Sequence, residues 1–490
     1  MNALLRKIPL LLFLSVLFLQ GTPPYDLQKE VDRLNGDTVM KHGEWGLFAL
    51  AQDSGNVIAE NNADLSLMPA STMKILTTGA ALGLLGPDFQ YETTIGYDGT
   101  FDKTSGTING NLYIQGAGDP TLESKYFRRS DSATAFSSIA ERLVSSGVKI
   151  ITGDIIGDAS CFSDNALPDG WTWGDLGQYY GAGTSGLDYR DNSVTLHFNS
   201  QGKDTCTIDS VTPFPENVRY RSFVTADGKK DEAFVYGTPF GNDFSVYGTI
   251  PAGKKNYEVD ASDPDPALLC AHDVLHQLQG AGITVNGKCT SSGRIFRDGK
   301  KMPSAKRTVL FSLLSPPLSE IVHMTNLHSD NVYAEQLLRT LGYRKGKSGS
   351  TEDGIDVVLD FWRSKGLDTD GLHMTDGSGL SRSNLITTKQ QASVLRIISQ
   401  SPWYDVFYRS LPVAGKSGSL AGLCKGTFAE NNMHAKSGYI DRARGYAGFV
   451  KTRSGKTICF SLLANNYTCP ASEMKKRLER ILVALAEYGG

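Results

Sequence analysis

The sequence predicts an α/β (α+β) fold: an antiparallel sheet flanked by helices, split by a long insertion of mainly β character. Three observations predict it. Alternating strands lie near both ends of the chain, apolar residues recur at helical spacing after residue 71 and across 318–341, and residues 91–300 read as short alternating runs broken by Gly, Asp and Pro. At 490 residues the chain exceeds what one hydrophobic core usually serves, so more than one domain is expected. Its 40% hydrophobic and 21% charged residues place it among globular rather than disordered chains.

The elements follow in order. Residues 1–21 carry Arg6 and Lys7, then the apolar run 8–19, then Gln20-Gly21 and a proline pair. This is the layout of a signal peptide, cleaved near Gly21. The apolar run is about 12 residues, too short to cross ~30 Å of hydrocarbon as a helix, so no stable membrane span is expected. The protein is expected to be periplasmic or otherwise extracytoplasmic, and loss of Arg6 and Lys7 takes the net charge from -3 to -5. Gly46-Leu-Phe-Ala-Leu and Val57-Ile-Ala-Glu flank Asp53-Ser-Gly-Asn, the pattern of a hairpin. A helix is predicted to open at Ser71, with Met73, Leu76, Ala80 and Leu84 on one face, and to stop at Gly86-Pro87. The inserted region 91–300 is expected to form two mainly-β domains. Helices return at 318–341, and the chain ends in a hairpin turned at Arg453-Ser-Gly-Lys and a last helix over 472–486. Segments 22–90 and 301–490 would then form one discontinuous core.

Composition excludes some functions. Neither a dense Lys/Arg tract nor an aromatic-basic stripe is present to track a phosphate backbone, so nucleic acid is not an expected partner. The seven cysteines form no CxxC or His-rich cluster, and no metal or cofactor is expected. Their odd number leaves at least one unpaired; Cys459 and Cys469 are close enough in sequence to join, which the sequence alone does not decide.

A serine hydrolase needs a nucleophile, a base within hydrogen-bond reach and donors aimed at the developing oxyanion. Ser71-Thr72-Met73-Lys74 supplies the first two, because positions i and i+3 at a helix start share a face. Burial, or a second cation such as Lys436, would help keep Lys74 neutral enough to act as a base. Ser-x-x-Lys also occurs at Ser146, Ser200 and Ser472, and at any of them the plain reading is a helix cap with an exposed lysine. Position distinguishes Ser71: a long apolar helix follows it, and two further motifs come after. The second is Ser329-Asp330-Asn331, where a hydroxyl suits proton relay and the Asn331 amide suits a substrate carbonyl; all three residues also suit a helix cap. The third is a Lys-Ser-Gly triplet, present at Lys347, Lys416 and Lys436. Lys436-Ser437-Gly438 is selected because it precedes the final hairpin, where an edge strand can lie along a substrate and Gly438 permits close backbone approach.

The order Ser-x-x-Lys, Ser-x-Asn, Lys-Ser/Thr-Gly is that of the penicillin-recognising serine enzymes. More narrowly, the chain resembles the D-alanyl-D-alanine carboxypeptidases and endopeptidases of the low-mass class C penicillin-binding proteins, serine peptidase family S13. The resemblance covers residues 47–488 through the runs Met68-Pro-Ala-Ser-Thr-Met-Lys, Gly116-Ala-Gly-Asp-Pro-Thr-Leu, Leu314-Ser-Pro-Pro-Leu-Ser-Glu-Ile-Val, Ser329-Asp-Asn-Val-Tyr-Ala-Glu, Asp376-Gly-Ser-Gly-Leu-Ser-Arg-Ser-Asn and Leu411-Pro-Val-Ala-Gly. The 258-residue gap from Ser71 to Ser329 matches the family's inserted domains. It implies a β-lactamase/transpeptidase-like core, acylation of Ser71, Lys74 as base, Ser329 and Asn331 in the cleft, and Lys436 with Ser437 on a terminal carboxylate. The backbone N–H groups of Ser71 and Tyr439 would form the oxyanion hole. Partners would be peptidoglycan stem peptides, with β-lactam antibiotics as inhibitors.

Two residues depart from the family: Ser437 replaces the usual Thr and keeps a hydroxyl, and Tyr439 replaces a small polar residue and would narrow the cleft. An acidic residue of the insertion reaches a diamino acid ammonium in family members, and Asp164 is the candidate here. Ser378, in the Gly-rich run, has no base nearby in sequence, and that loop is read as part of the cleft wall. A Ser-His-Asp hydrolase is disfavoured, since no Gly-x-Ser-x-Gly elbow accompanies the eight histidines. The rival readings are a serine β-lactamase and a catalytically silent peptidoglycan-binding or sensor protein on the same scaffold.

Overall fold

The computed structural model describes residues 26–127, 136–201 and 205–489, so the signal peptide expected at 1–21 lies outside the described residues. Five antiparallel strands form the core sheet, in the order Val57–Asn61, Glu44–Ala51, Thr457–Asn465, Ala443–Lys451, Met433–Ile440. The first hairpin thus pairs with the last, and Met433–Ile440 is left as an edge. Because side chains alternate across a strand, Leu47 and Ala49 face one side of the sheet, and Phe48 and Leu50 the other.

Each face is covered by helices. On the first, Leu27–Asn35 and Ala471–Glu487 bury Val31, Leu34, Leu478, Ile481, Leu482 and Leu485, the apolar positions that recur every three or four residues. On the second, Lys74–Leu85, Leu318–His328, Asn331–Lys345 and Thr388–Ser399 pack together. The helix Asn331–Lys345 is buried from Asn331 to Gly342, including Glu335 and Arg339. The predicted helix over 318–341 is broken in two at Ser329, whose φ of 60° is left-handed and ends Leu318–His328.

No strand of the insertion joins the core sheet. A five-stranded sheet runs Cys289–Ser291, Ile155–Asp158, Leu112–Gln115, Glu92–Tyr97, Thr308–Leu314, its last strand lying beyond residue 300. The helix Pro266–Gly280 packs on it through Leu269, Val274 and Leu278. Nested within the insertion, residues 193–262 form two three-stranded sheets around Phe198, Phe244 and Val246. The buried Arg339 guanidinium fastens the insertion to the core by donating to Thr184 Oγ1 at 2.8 Å and to Ser163 O at 2.7 Å.

All seven cysteines are unpaired, Cys459 in the core and Cys469 half-buried. No helix among the described residues is long and apolar enough to cross a membrane, and no group of metal-ligating side chains is found among them.

Candidate active site

Ser71 lies inside a 3-10 turn, Ala70–Met73, that runs into the helix Lys74–Leu85. In a 3-10 turn, side chains three apart eclipse one another, so Ser71 and Lys74 are aligned more directly than an α-helix start would allow. Lys74 Nζ lies 3.0 Å from Ser71 Oγ, 2.6 Å from Asn331 Oδ1 and 2.7 Å from Ser378 O. Ala70, with φ of 47°, sets the turn; a side chain on Gly379 would collide with its carbonyl.

The Ser329-Asp330-Asn331 triplet fulfils both of its possible readings. Asp330 caps the helix by accepting from Tyr333 N at 3.1 Å. Ser329, in its left-handed conformation, and Asn331 face the site. The Asn331 amide is oriented from both ends, its oxygen toward Lys74 and its Nδ2 donating to Tyr180 O at 2.8 Å.

Lys436 is completely buried on the edge strand. Its Nζ donates to Ser329 Oγ at 2.8 Å and to Ser437 O at 2.9 Å. Its ammonium is therefore turned inward, whereas the half-buried Ser437 hydroxyl, which donates to Ser419 Oγ at 2.6 Å, is the polar side chain nearer solvent. Gly438 lies against the nucleophile turn: a methyl there would strike Pro69 O and come within 3.1 Å of Ser71 N and Thr72 N. Tyr439 projects outward, 53% exposed, with the Arg444 guanidinium 4.8 Å from its ring.

Burial pushes the Lys74 ammonium down to about 8, opposed by Asp376, Glu335 and Asp330. Burial, and then repulsion from Lys74, pushes Lys436 well below the ordinary lysine range. The cation–cation repulsion thus acts on Lys436, while desolvation is what softens Lys74.

Three residues here were given no role by the sequence, although Glu335 ends and Asp376 opens runs that carry the family resemblance. Glu335 accepts from Gly377 N at 3.0 Å and Ser378 N at 2.7 Å, and so holds the loop whose Ser378 carbonyl meets Lys74. Asp376 knots that loop through Gly379 N and Ser381 N and takes the Trp171 indole N–H at 2.9 Å. Gln391 donates to Thr72 O at 3.1 Å behind the nucleophile. The run Asp376-Gly-Ser-Gly did mark the loop as cleft wall, and there it lies, with Ser378 contributing its carbonyl. Tyr180 contributes a backbone carbonyl, for which no residue type is a signal.

Asp164 is not drawn into this cluster. It is exposed, with Arg297 of the insertion as its ionic partner at 3.9 Å. Lys347 and Lys416 are both exposed, unlike Lys436.

The chain is similar to known proteins over nearly its whole length. The D-Ala-D-Ala carboxypeptidase 3 (S13) family matches residues 27–487. A D-alanyl-D-alanine carboxypeptidase of Actinomadura sp. (strain R39) is 29% identical over 486 residues, covering 95% of this chain and 85% of its own. The D-alanyl-D-alanine carboxypeptidase DacB of Haemophilus influenzae is 26% identical, over 88% of this chain and 87% of its own. The crystal structure of penicillin binding protein 4 (dacB) from Haemophilus influenzae superposes with a TM-score of 0.77 at 24% identity, over 91% of this chain and 97% of that one, and so shares the fold. Spanning nearly the whole chain, these matches show that the protein belongs to the D-Ala-D-Ala carboxypeptidase 3 (S13) family of serine peptidases.

Proposed function

We propose that the protein is an exported D,D-peptidase acting through an acyl-enzyme on Ser71. It would remove the last D-alanine of peptidoglycan stem peptides as a carboxypeptidase and open D-Ala–diamino acid crosslinks as an endopeptidase. The observation that carries this reading is the three-point hold on Lys74 Nζ by Ser71 Oγ, Asn331 Oδ1 and Ser378 O. A neutral amine has two hydrogens and one lone pair. With Asn331 and Ser378 accepting the hydrogens, the lone pair faces the Ser71 hydroxyl and takes its proton as the oxygen attacks the scissile carbonyl.

The backbone N–H groups of Ser71 and Tyr439 would receive the oxyanion, which the close approach at Gly438 allows. Ser329, bonded to Lys436, would pass its hydroxyl proton to the departing amine and take in its place the proton Lys74 received from Ser71, which returns Lys74 to its neutral form. The Ser437 hydroxyl would hold the substrate carboxylate, with the inward Lys436 supplying charge behind it. Water then releases the acyl group, with Lys74 again as base. A β-lactam would acylate Ser71 by the same attack; the penicillin binding protein 4 of Haemophilus influenzae has been solved complexed with a novel beta-lactam.

Mass spectrometry after incubation with labelled penicillin tests the proposal. A stable adduct on Ser71, absent from a folded Ser71→Ala protein, is expected. Rapid turnover without an adduct would instead indicate a β-lactamase. No adduct at all would indicate a silent scaffold.

A further inference from the structure

The nested part of the insertion carries an aromatic surface that the reaction above does not use. On the sheet formed by Arg219–Gly228, Asp243–Pro251 and Phe234–Tyr236, the inward positions Val224, Phe244, Val246 and Val235 are buried. The outward positions bear Phe223, Tyr247 and Phe234, each about half exposed. Phe223 and Tyr247 stack with centroids 4.8 Å apart and planes at 8°. From Tyr247 the rings continue to Tyr236 at 5.8 Å and on to Trp173 at 6.0 Å. Trp173 is 57% exposed and opens a short helix, Trp173–Leu176. Monomeric proteins rarely leave so many large rings in water together without a binding role.

This track leads to the candidate active site. Two residues before Trp173, the Trp171 indole donates to Asp376 in the cleft wall; a few residues after it, Tyr180 O accepts from Asn331. Tyr179, half exposed beside Tyr180, completes the path. At the track's edge Arg219 and Arg221 share the single carboxylate of Asp243 at 3.5 and 3.3 Å, which leaves no dense run of positive charge. A neutral ligand matches such a surface better than a polyanion. Sugar rings in β-linked polymers present flat C–H faces with hydroxyls at their rims, which complements aromatic faces edged by Tyr hydroxyls.

We infer that the aromatic track Phe223–Tyr247–Tyr236–Trp173 docks the acetylated amino-sugar chain that bears the peptide substrate. The inference rests on the proposed function for the identity of the polymer. The peptide in the cleft is covalently tethered to its glycan, which must leave along some surface, and this one begins at the cleft wall.

The test uses full-length protein and a neutral, peptide-free probe, the β-linked hexamer of N-acetylglucosamine, followed by Trp fluorescence and calorimetry. Wild type should bind the hexamer, and the Phe223→Ser/Tyr247→Ser variant should bind it roughly tenfold or more weakly, since stacking platforms lose about that much per ring removed. Turnover of free acetylated D-Ala-D-Ala peptide should be unchanged in the variant, while KM on glycan-borne peptide rises and kcat holds. Phe234→Ser serves as a second variant should the double one fold poorly. The inference is overturned if wild type ignores the hexamer or the variants bind it equally. It is also overturned if the substitutions abolish only self-association or only binding to phosphatidylglycerol vesicles. Hexamer binding is also read on Ser71→Ala protein, so failure of the catalytic proposal and failure of this one are distinguishable.

Discussion

Lys436 Nζ donates to Ser329 Oγ at 2.8 Å, joining residues 107 positions apart in the chain. Lys74 reaches the same triplet from the other side through Asn331 Oδ1. The helix-capping turn at 329–331 is therefore where the first and third motifs meet, one on each side of Asp330. Charge cannot gather freely there, because both lysines are fully buried and, after that burial, Lys74 disfavours protonation of Lys436.

The first prediction concerns pH. Burial brings Lys74 down to about 8, and only its neutral form can take the Ser71 proton. The second-order rate of penicillin acylation should rise with pH up to about 8 and level off above it. Lys74→Ala should be slower by ~10²–10⁴-fold and lack that rise. For stability the sign follows from the depressed lysine: between about 8 and the unfolded value near ~10.4 the unfolded chain binds more protons. The cost of the buried cation is thus fully present below about 8 and is relieved as pH climbs through that window. Stopped-flow acylation across this range checks the claim, and a flat profile would place the base elsewhere.

Gly438→Ala should close the cleft. The added methyl strikes the Pro69 carbonyl, a backbone atom that cannot rotate aside, and crowds Ser71 N. Overpacking of this kind costs ~1–3 kcal/mol. Acylation should fall more than the melting temperature does, because the same shift displaces both oxyanion donors. An alanine variant that acylates at the wild-type rate would show that the strand moves away freely.

Glu335 holds the loop whose Ser378 carbonyl meets Lys74, the proposed base. Removing its carboxylate in Glu335→Ala leaves the Gly377 and Ser378 N–H groups buried without an acceptor, at ~1–3 kcal/mol each. The Ser378 carbonyl would then drift from Lys74, and both stability and acylation should drop. Glu335→Gln keeps an acceptor and removes the charge. It should recover much of the stability and move the midpoint of the pH profile modestly below about 8: Glu335 is one of the groups holding the Lys74 value up, but burial, and then Asp376, raise Glu335 itself to about 8, so it is only partly charged in that range. An unmoved midpoint would mean the carboxylate has no electrostatic reach to Lys74.

Much of this arrangement was legible in the sequence, for identifiable reasons. Periodicity located the terminal hairpin and the helix after it, since the apolar face of Ala471–Glu487 repeats regularly. Ser71, Lys74, Ser329, Asn331 and Lys436 were found by motif order, and the structure brings their side chains together. Glu335 ends one of the runs that carry the resemblance, but its role was missed because its partners are backbone N–H groups some 42 residues away, which no local pattern shows. The break at Ser329 was marked in the sequence by the capping residues Ser329-Asp330-Asn331, and Asp330 does cap the second helix. Asp164 was chosen by resemblance alone, and local geometry gave it to Arg297 instead. Lys436 was expected at a substrate carboxylate; its side chain lies on the inward face of the edge strand and reaches Ser329 Oγ, while Ser437 next to it stands nearer solvent.

The last prediction separates the three Lys-Ser-Gly triplets. Lys436 is buried and bonded to Ser329, whereas Lys416 and Lys347 are exposed. Lys436→Ala leaves the half-buried Ser329 hydroxyl without its donor, which costs about 1–3 kcal/mol. At 1.36 kcal/mol per tenfold, turnover of D-Ala-D-Ala peptides should fall by ~5–150-fold or more. The loss should appear in kcat as well as KM, since Ser329 is placed to handle the leaving amine's proton. Exposed charges contribute little, so Lys416→Ala and Lys347→Ala should stay within a factor of about two. Because Lys416 and Ser419 share the loop that bonds Ser437, a damaging Lys416→Ala beside a silent Lys436→Ala would transfer carboxylate binding to that loop and remove Lys436 from the mechanism.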